Sequence, residues 1–256
     1  MFLLGASLAV LLATRNDVPI FLIEHDVYSV HPIFGLRIPS IILSIFDIVS
    51  LSLFAVIVLG LILLSFRKTV SAEIFFFSFW LCTLSLESLR FVHLFLALSG
   101  KADSILAIVN KLYMGGHFLG YMAIFISGLY AAGMRNERQF SIMAVCAAIS
   151  VALASILPVN TGIWEQKLMF KVGYGQLIEG FSLSIILITI ANYLIAVRVR
   201  GDKAYYYIAL GIAAIAAGSH FVGLDSSPLL SLASMLTMSL GSVIYIYKLH
   251  YFYLWQ

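Results

Sequence analysis

The chain has 256 residues, of which 62% are hydrophobic and 11% charged, with a formal net charge of +3. A mean hydropathy of +1.05 leaves too little polar surface to cover a soluble globule, which excludes a water-soluble enzyme and indicates an integral membrane protein. The basic residues sit in short loops instead of one patch, so they read as membrane topology and give no support to nucleic-acid binding.

Residues 1–13 form an apolar run closed by Thr14, Arg15, Asn16 and Asp17. The run is too short for a full span. It fits either a signal-peptide core or an uncleaved apolar segment lying in the interface or against the bundle. A missing basic n-region and A-x-A site count against cleavage, and both readings stay open. Residues 17–39 carry His25, His31, Pro32 and Pro39, which predicts an irregular outer lid in place of a continuous helix. The expected organisation is an N-terminal segment over 1–39 followed by a membrane domain over 40–256.

A hydrocarbon core about 30 Å thick needs about 20 apolar residues of helix. Segments near 40–66, 71–99, 104–133, 139–158, 172–197, 204–223 and 228–249 meet that length, which predicts an all-α, seven-helix polytopic bundle. On one side the loops hold Arg67, Lys68, Arg135, Arg138, Arg198, Arg200, Lys203 and Lys248 against Glu73, Glu137 and Asp202. The other side holds Arg15, Arg37, Lys101, Lys167 and Lys171 against Asp17, Glu24, Asp26, Asp103, Glu165 and Asp225. The positive-inside rule then places the N-terminus outside and the C-terminus in the cytoplasm, in a plasma or inner membrane.

Polar side chains inside the spans are the functional signal, because a charge in hydrocarbon is costly unless paired or hydrated. At a rise of about 1.5 Å per residue, Asp47, Glu87, Arg90, His93, Lys111, His117, Glu179 and His220 all fall between the outer boundary and the midplane. They come from five of the seven spans, while the cytoplasmic half has almost none. Glu87 and Arg90, three residues apart, can pair on one helix face. Singly, each polar residue is explained by a locking ion pair. A set of eight points to an outward-facing polar cavity.

Such a cavity suits a sensor or receptor-like protein, or a membrane subunit of a complex, that binds a small polar or anionic ligand from the outer side. In that reading Arg90 and Lys111 hold a negative group while Asp47, Glu87 and Glu179 balance the charge, and binding shifts the population of two helix packings. No cytoplasmic output module is present in these loops, so a receptor of this kind needs a separate cytoplasmic or membrane partner besides the lipid bilayer. A secondary transporter of a small solute is the first alternative, although no internal repeat supports it. An intramembrane metal-dependent hydrolase or a b-type haem protein is the second. HxxxH and HExxH are absent, and His93 with His220 is the only imidazole pair at matched depth. No cofactor is therefore expected.

The topology resembles that of seven-helix receptors and of the membrane sensor regions of bacterial signalling proteins, a likeness that carries no residue role. A retinal protein is excluded because the last span has no lysine before Lys248. Cys82 and Cys146 lie in spans, without a CxxC pair. Gly116 and Gly120 permit close helix contact, and Gly173, Gly175 and Gly180 give room near Glu179. The aromatic groups Phe75 to Trp80, Tyr205 to Tyr207 and Tyr245 to Trp255 read as interfacial belts, and Trp164 as an interfacial residue or cap of the outer loop.

Overall fold

The computed structural model describes residues 30–33, 36–66, 71–134, 139–165, 167–222 and 228–254. The apolar run 1–13, His25, and the loop residues Arg67, Lys68, Arg135, Glu137, Arg138 and Asp225 lie outside the described residues.

Two short antiparallel strands, β1 (Val30–Ile33) and β2 (Leu36–Pro39), pair with His31 opposite Ile38. They replace part of the irregular lid expected from the prolines. Proline lacks an N–H, so Pro32 and Pro39 fit only such a two-stranded, edge-only ladder. Helix α1 (Ser40–Ser65) follows at once.

The remaining helices are α2 (Ala72–Leu98), α3 (Asp103–Ala131), α4 (Gln139–Ile156), α5 (Gly175–Arg200), α6 (Ala204–Val222) and α7 (Pro228–Leu254). Seven helices are long and apolar enough to cross a membrane, so the chain is an all-α bundle and an integral membrane protein. Between α4 and α5 the chain forms a second hairpin, β3 (Val159–Glu165) and β4 (Met169–Val172). The expected loop there is thus a folded element, and α5 starts at Gly175 and not near 172.

Successive contacts α1–α2, α2–α3, α3–α5, α5–α6, α6–α7 and α7–α1 close six helices into a ring. Helix α4 packs chiefly on α3, outside the ring, and of its residues only Ser150 and Ala154 are buried. Ile142, Met143, Cys146 and Leu153 pack partly buried against the bundle, and the opposite face, with Phe140, Val145, Ile149 and Val151, is exposed, as an apolar helix in lipid tolerates.

The main core lies in the half of the ring away from the β3–β4 hairpin, where Phe77, Trp80, Leu81, Tyr205, Ile212 and Tyr245 pack together. The aromatic runs read as belts are therefore divided: Phe76, Phe77 and Tyr205 are buried, while Phe75, Tyr206 and Tyr207 are exposed. Helical periodicity rotates successive residues by about 100°, so a continuous aromatic run must serve both core and lipid.

Helices α6 and α7 approach most closely. A Cβ on Gly211 would stand 2.8 Å from the Gly241 carbonyl oxygen, and one on Gly241 would stand 2.7 Å from that of Gly211. Both obstacles are backbone, so neither can rotate away. Gly211→Ala should cost about 1–3 kcal/mol in unfolding from mild detergent. Unchanged stability would mean that the two helices do not meet at this point. Gly116 and Gly120 fit their packing role too, since a Cβ at either would strike Leu86 or Thr83 of α2.

Candidate functional site

The site begins with a local irregularity in α2. Residues Ser85–Ser88 form a 3-10 turn inside the helix. The cause is written in the run Thr83, Ser85, Ser88, whose hydroxyls donate to carbonyls three residues back: Thr83 to Trp80 at 2.7 Å, Ser85 to Cys82 at 2.6 Å and Ser88 to Ser85 at 2.6 Å. Such local side-chain bonds compete with the regular helical ladder. A 3-10 turn brings positions i and i+3 nearly into line, and Glu87 here forms an ion pair with Arg90 at 3.4 Å.

Arg90 is 3% exposed and also donates from Nε to the Lys167 carbonyl at 2.7 Å. This bond pins the β3–β4 hairpin into the mouth of the ring. A second pin is Asn110 on α3, whose amide Nδ2 donates to the Phe170 carbonyl at 2.8 Å. A third is apolar. Leu168 takes a left-handed φ of 60°, unusual for a residue with a side chain, and its fully buried side chain packs with Ile48, Phe91 and Leu94. The strain of that φ is offset by the apolar surface that Leu168 removes from solvent.

Beneath the hairpin lies a cavity with about 200 Å³ of room for water-sized molecules. Helix α2 contributes Glu87 and Arg90; α3 contributes Asn110, Tyr113, His117 and Tyr121; α5 contributes Glu179 and Ser182; α6 contributes Ser219 and His220. Glu165, Lys167 and Phe170 of the hairpin roof it. A narrower space of about 40 Å³ shares Glu87, Tyr113, His117 and Tyr121 and continues inward past Thr83 to Trp80.

Glu87, Arg90, His117, Glu179 and His220 thus share one cavity, drawn from α2, α3, α5 and α6. The other three polar residues lie outside its lining. Asp47 is buried on α1 and accepts a hydrogen bond from Ser231 on α7, which joins the two helices that close the ring. His93 is fully buried, its ring 5.0 Å from Trp164 and 4.8 Å from Phe170, so it supports the hairpin from below. Lys111 donates to the Ser155 carbonyl of α4 at 2.8 Å. Their azimuth on the helices turns these three to other neighbours.

Sequence reasoning missed Tyr113 and Tyr121, although both lie four residues from His117. That spacing stacks the three rings on one face of α3, with His117 6.2 Å from Tyr113 and 4.7 Å from Tyr121. It also missed Asn110 and the hairpin residues. Trp164 packs on His93 and Phe170, beside the cavity and outside its lining.

The far half of the bundle holds an unexpected polar knot. Glu73, counted above among loop acids, is 1% exposed inside α2. Its carboxylate accepts from the hydroxyls of Tyr205 and Tyr253, each at 3.3 Å, and faces Arg200 at 3.7 Å. Arg200 also donates to the Tyr130 carbonyl at 3.1 Å. Ser127 donates to the Glu73 carbonyl at 2.9 Å and lies 2.7 Å from the Tyr193 hydroxyl, which is 3.2 Å from that of Tyr245. Five helices, α2, α3, α5, α6 and α7, meet in this knot. Of the tyrosines that supply it, Tyr205, Tyr245 and Tyr253 come from the runs read as belts and Tyr193 from α5.

Among the described residues, no three His, Cys, Asp or Glu side chains cluster as metal ligands would. No protein-family model matches the chain, and no curated protein matches it as a relative.

Proposed function

We propose that this protein is a membrane receptor or sensor subunit that binds a small polar ligand in the cavity beneath the β3–β4 hairpin. The observation that carries this reading is the convergence of Glu87, Arg90, His117, Glu179 and His220, from four helices, on one space large enough for a small molecule. Pockets with a few convergent polar groups are the default ligand sites of proteins. The distribution of basic residues puts the hairpin end outside, so ligand enters from outside and the C-terminus is cytoplasmic.

Helices α2, α3, α5 and α6 line the cavity and also enter the Glu73 knot. A ligand that changes their spacing at one end therefore changes the fit at the other. The signal passes as a shift between two packings, read by a cytoplasmic or membrane partner protein.

A transporter is the second reading. It is favoured by one observation: the cavity and the knot are polar, and Phe77, Leu81, Ala123 and Ile124 form an apolar layer between them. That is the arrangement of a pathway open at one end and shut at the other.

The test uses a chain whose native Cys82 and Cys146 are replaced by serine. A membrane-impermeant thiol reagent added outside should modify Glu179→Cys and Ser182→Cys, and leave Leu240→Cys and Lys203→Cys unmodified. Modification of Lys203→Cys from outside would reverse the topology, and no modification at positions 179 and 182 would remove the open cavity. In a transporter, Tyr193→Cys would become reactive from the cytoplasmic side during turnover. In a sensor it would not.

A further inference from the structure

We infer that the end of the bundle holding the Glu73 knot binds the headgroup of an anionic phospholipid, on the outer wall between α6 and α7. The inference is independent of the cavity and needs no ligand there. Lys248 of α7 carries it. This lysine lies five positions inside the span that ends at Tyr253, so at about 1.5 Å per residue its Cα sits roughly 7 Å from the end of the span. A lysine at that depth turns its ammonium toward the interface and is stabilised there by an anion. Its Nζ stands 4.6 Å from the centre of the Tyr207 ring of α6 and 5.7 Å from that of the Tyr247 ring. These two rings are the contacts that the ammonium makes among the described residues. Aromatic faces hold a cation in place but supply no lone pair on oxygen, so its N–H donors stay open to an anion.

The protein supplies no such anion itself. Among the described residues, the acids at this end are Glu73 and Asp202. Glu73 is taken by Tyr205, Tyr253 and Arg200, and Asp202 accepts from the Ala204 N–H at 2.7 Å. Lys203, exposed and one turn before Tyr207 in the chain, adds a second positive charge at the start of α6. A lipid phosphate at Lys248 also meets the hydroxyls of two exposed tyrosines, Tyr207 and Tyr247, and negative headgroups are drawn to basic residues at this depth.

The wall beside the ammonium decides for a lipid over a free phosphate. Leu210 of α6 and Val243 of α7 lie one turn deeper on the same faces as Tyr207 and Tyr247, and they are 59% and 57% exposed. They form an apolar strip that leads from the ammonium into the membrane, where the acyl chains of a bound phospholipid lie. A soluble phosphate gains nothing from that strip.

The experiment uses the purified full chain in a neutral detergent, with dioleoylphosphatidylglycerol as the anionic probe and dioleoylphosphatidylcholine as the matched probe of no net charge. Native mass spectrometry counts retained lipid, and thermal unfolding is followed on the same samples. Phosphatidylglycerol should be retained in preference and raise the unfolding midpoint. Lys248→Met should weaken its retention about fivefold, as expected for one basic residue lost at an anionic lipid surface. Tyr207→Leu, which removes the ring that holds the ammonium, should weaken it with the lysine still in place. Arg198→Met on α5 and Lys171→Met on the β3–β4 hairpin should leave it unchanged. Equal retention of the two lipids, or retention indifferent to both Lys248→Met and Tyr207→Leu, would overturn the site. A loss on Arg198→Met as large as that on Lys248→Met would overturn it too, by showing diffuse attraction to a basic end. Displacement of the lipid by inorganic phosphate, but not by chloride at the same ionic strength, would replace the lipid with a soluble phosphate. Should Lys248→Met fail to fold, Tyr207→Leu carries the test, and unchanged retention there overturns the proposal.

Discussion

Arg90→Met should destabilise the protein by about 3–5 kcal/mol, the cost of breaking a buried charge pair by removing one partner. The guanidinium is 3% exposed and joins two structures: it neutralises Glu87 in the 3-10 turn and holds the Lys167 carbonyl at the hairpin tip. Its removal leaves the Glu87 carboxylate, only 12% exposed, without its cation and frees the roof of the cavity. Adding Glu87→Gln should recover at least half of the loss, because the uncompensated charge is gone. Unfolding in mild detergent of the parent, both single variants and the double variant supplies the cycle. Additive losses would separate the two residues energetically and take the ion pair out of the site.

The second large effect is expected at the opposite end. Arg200→Met should cost about 2–3 kcal/mol, less than for Arg90, because Arg200 is 33% exposed and water screens its pairing with Glu73. Tyr205→Phe and Tyr253→Phe should each cost about 1–2 kcal/mol, as each removes a donor to a buried carboxylate. Glu73→Gln should suppress most of the Arg200→Met loss. These variants also test communication between the ends. If the helices shared by cavity and knot carry a signal, loosening the knot alters the rate at which Ser182→Cys reacts with the outside reagent. An unchanged rate, in variants that are measurably destabilised, would show two independent polar regions and no coupling.

The limits of linear reading are visible in particular residues. Counting along the helices placed Glu87, Arg90, His117, Glu179 and His220 between the outer boundary and the midplane, and these five line one cavity. Azimuth does not follow from counting, and Asp47, His93 and Lys111 turned out to serve Ser231, the Trp164–Phe170 pair and the Ser155 carbonyl. Glu73 was misplaced for a different reason. Two residues from a loop, it looks solvated in a hydropathy profile. Only the convergence of Tyr205, Tyr253 and Arg200 around it makes burial tolerable. The β3–β4 hairpin was also beyond reach, because its strands are short and lack a strong alternating pattern.

What the sequence determined by itself is the solvent and the number of spans. Seven apolar segments of sufficient length can satisfy their backbone groups in hydrocarbon only as helices, a local requirement that needs no knowledge of neighbours. The tertiary structure decided which polar groups meet. It closed six helices into a ring with α4 outside, let Gly211 and Gly241 bring two backbones together, and folded a hairpin into the ring mouth where Arg90 and Asn110 hold it. In a membrane every span is apolar to lipid and to its fellows alike, so hydropathy cannot choose partners. The choice falls to packing and to the pairing of a few polar side chains.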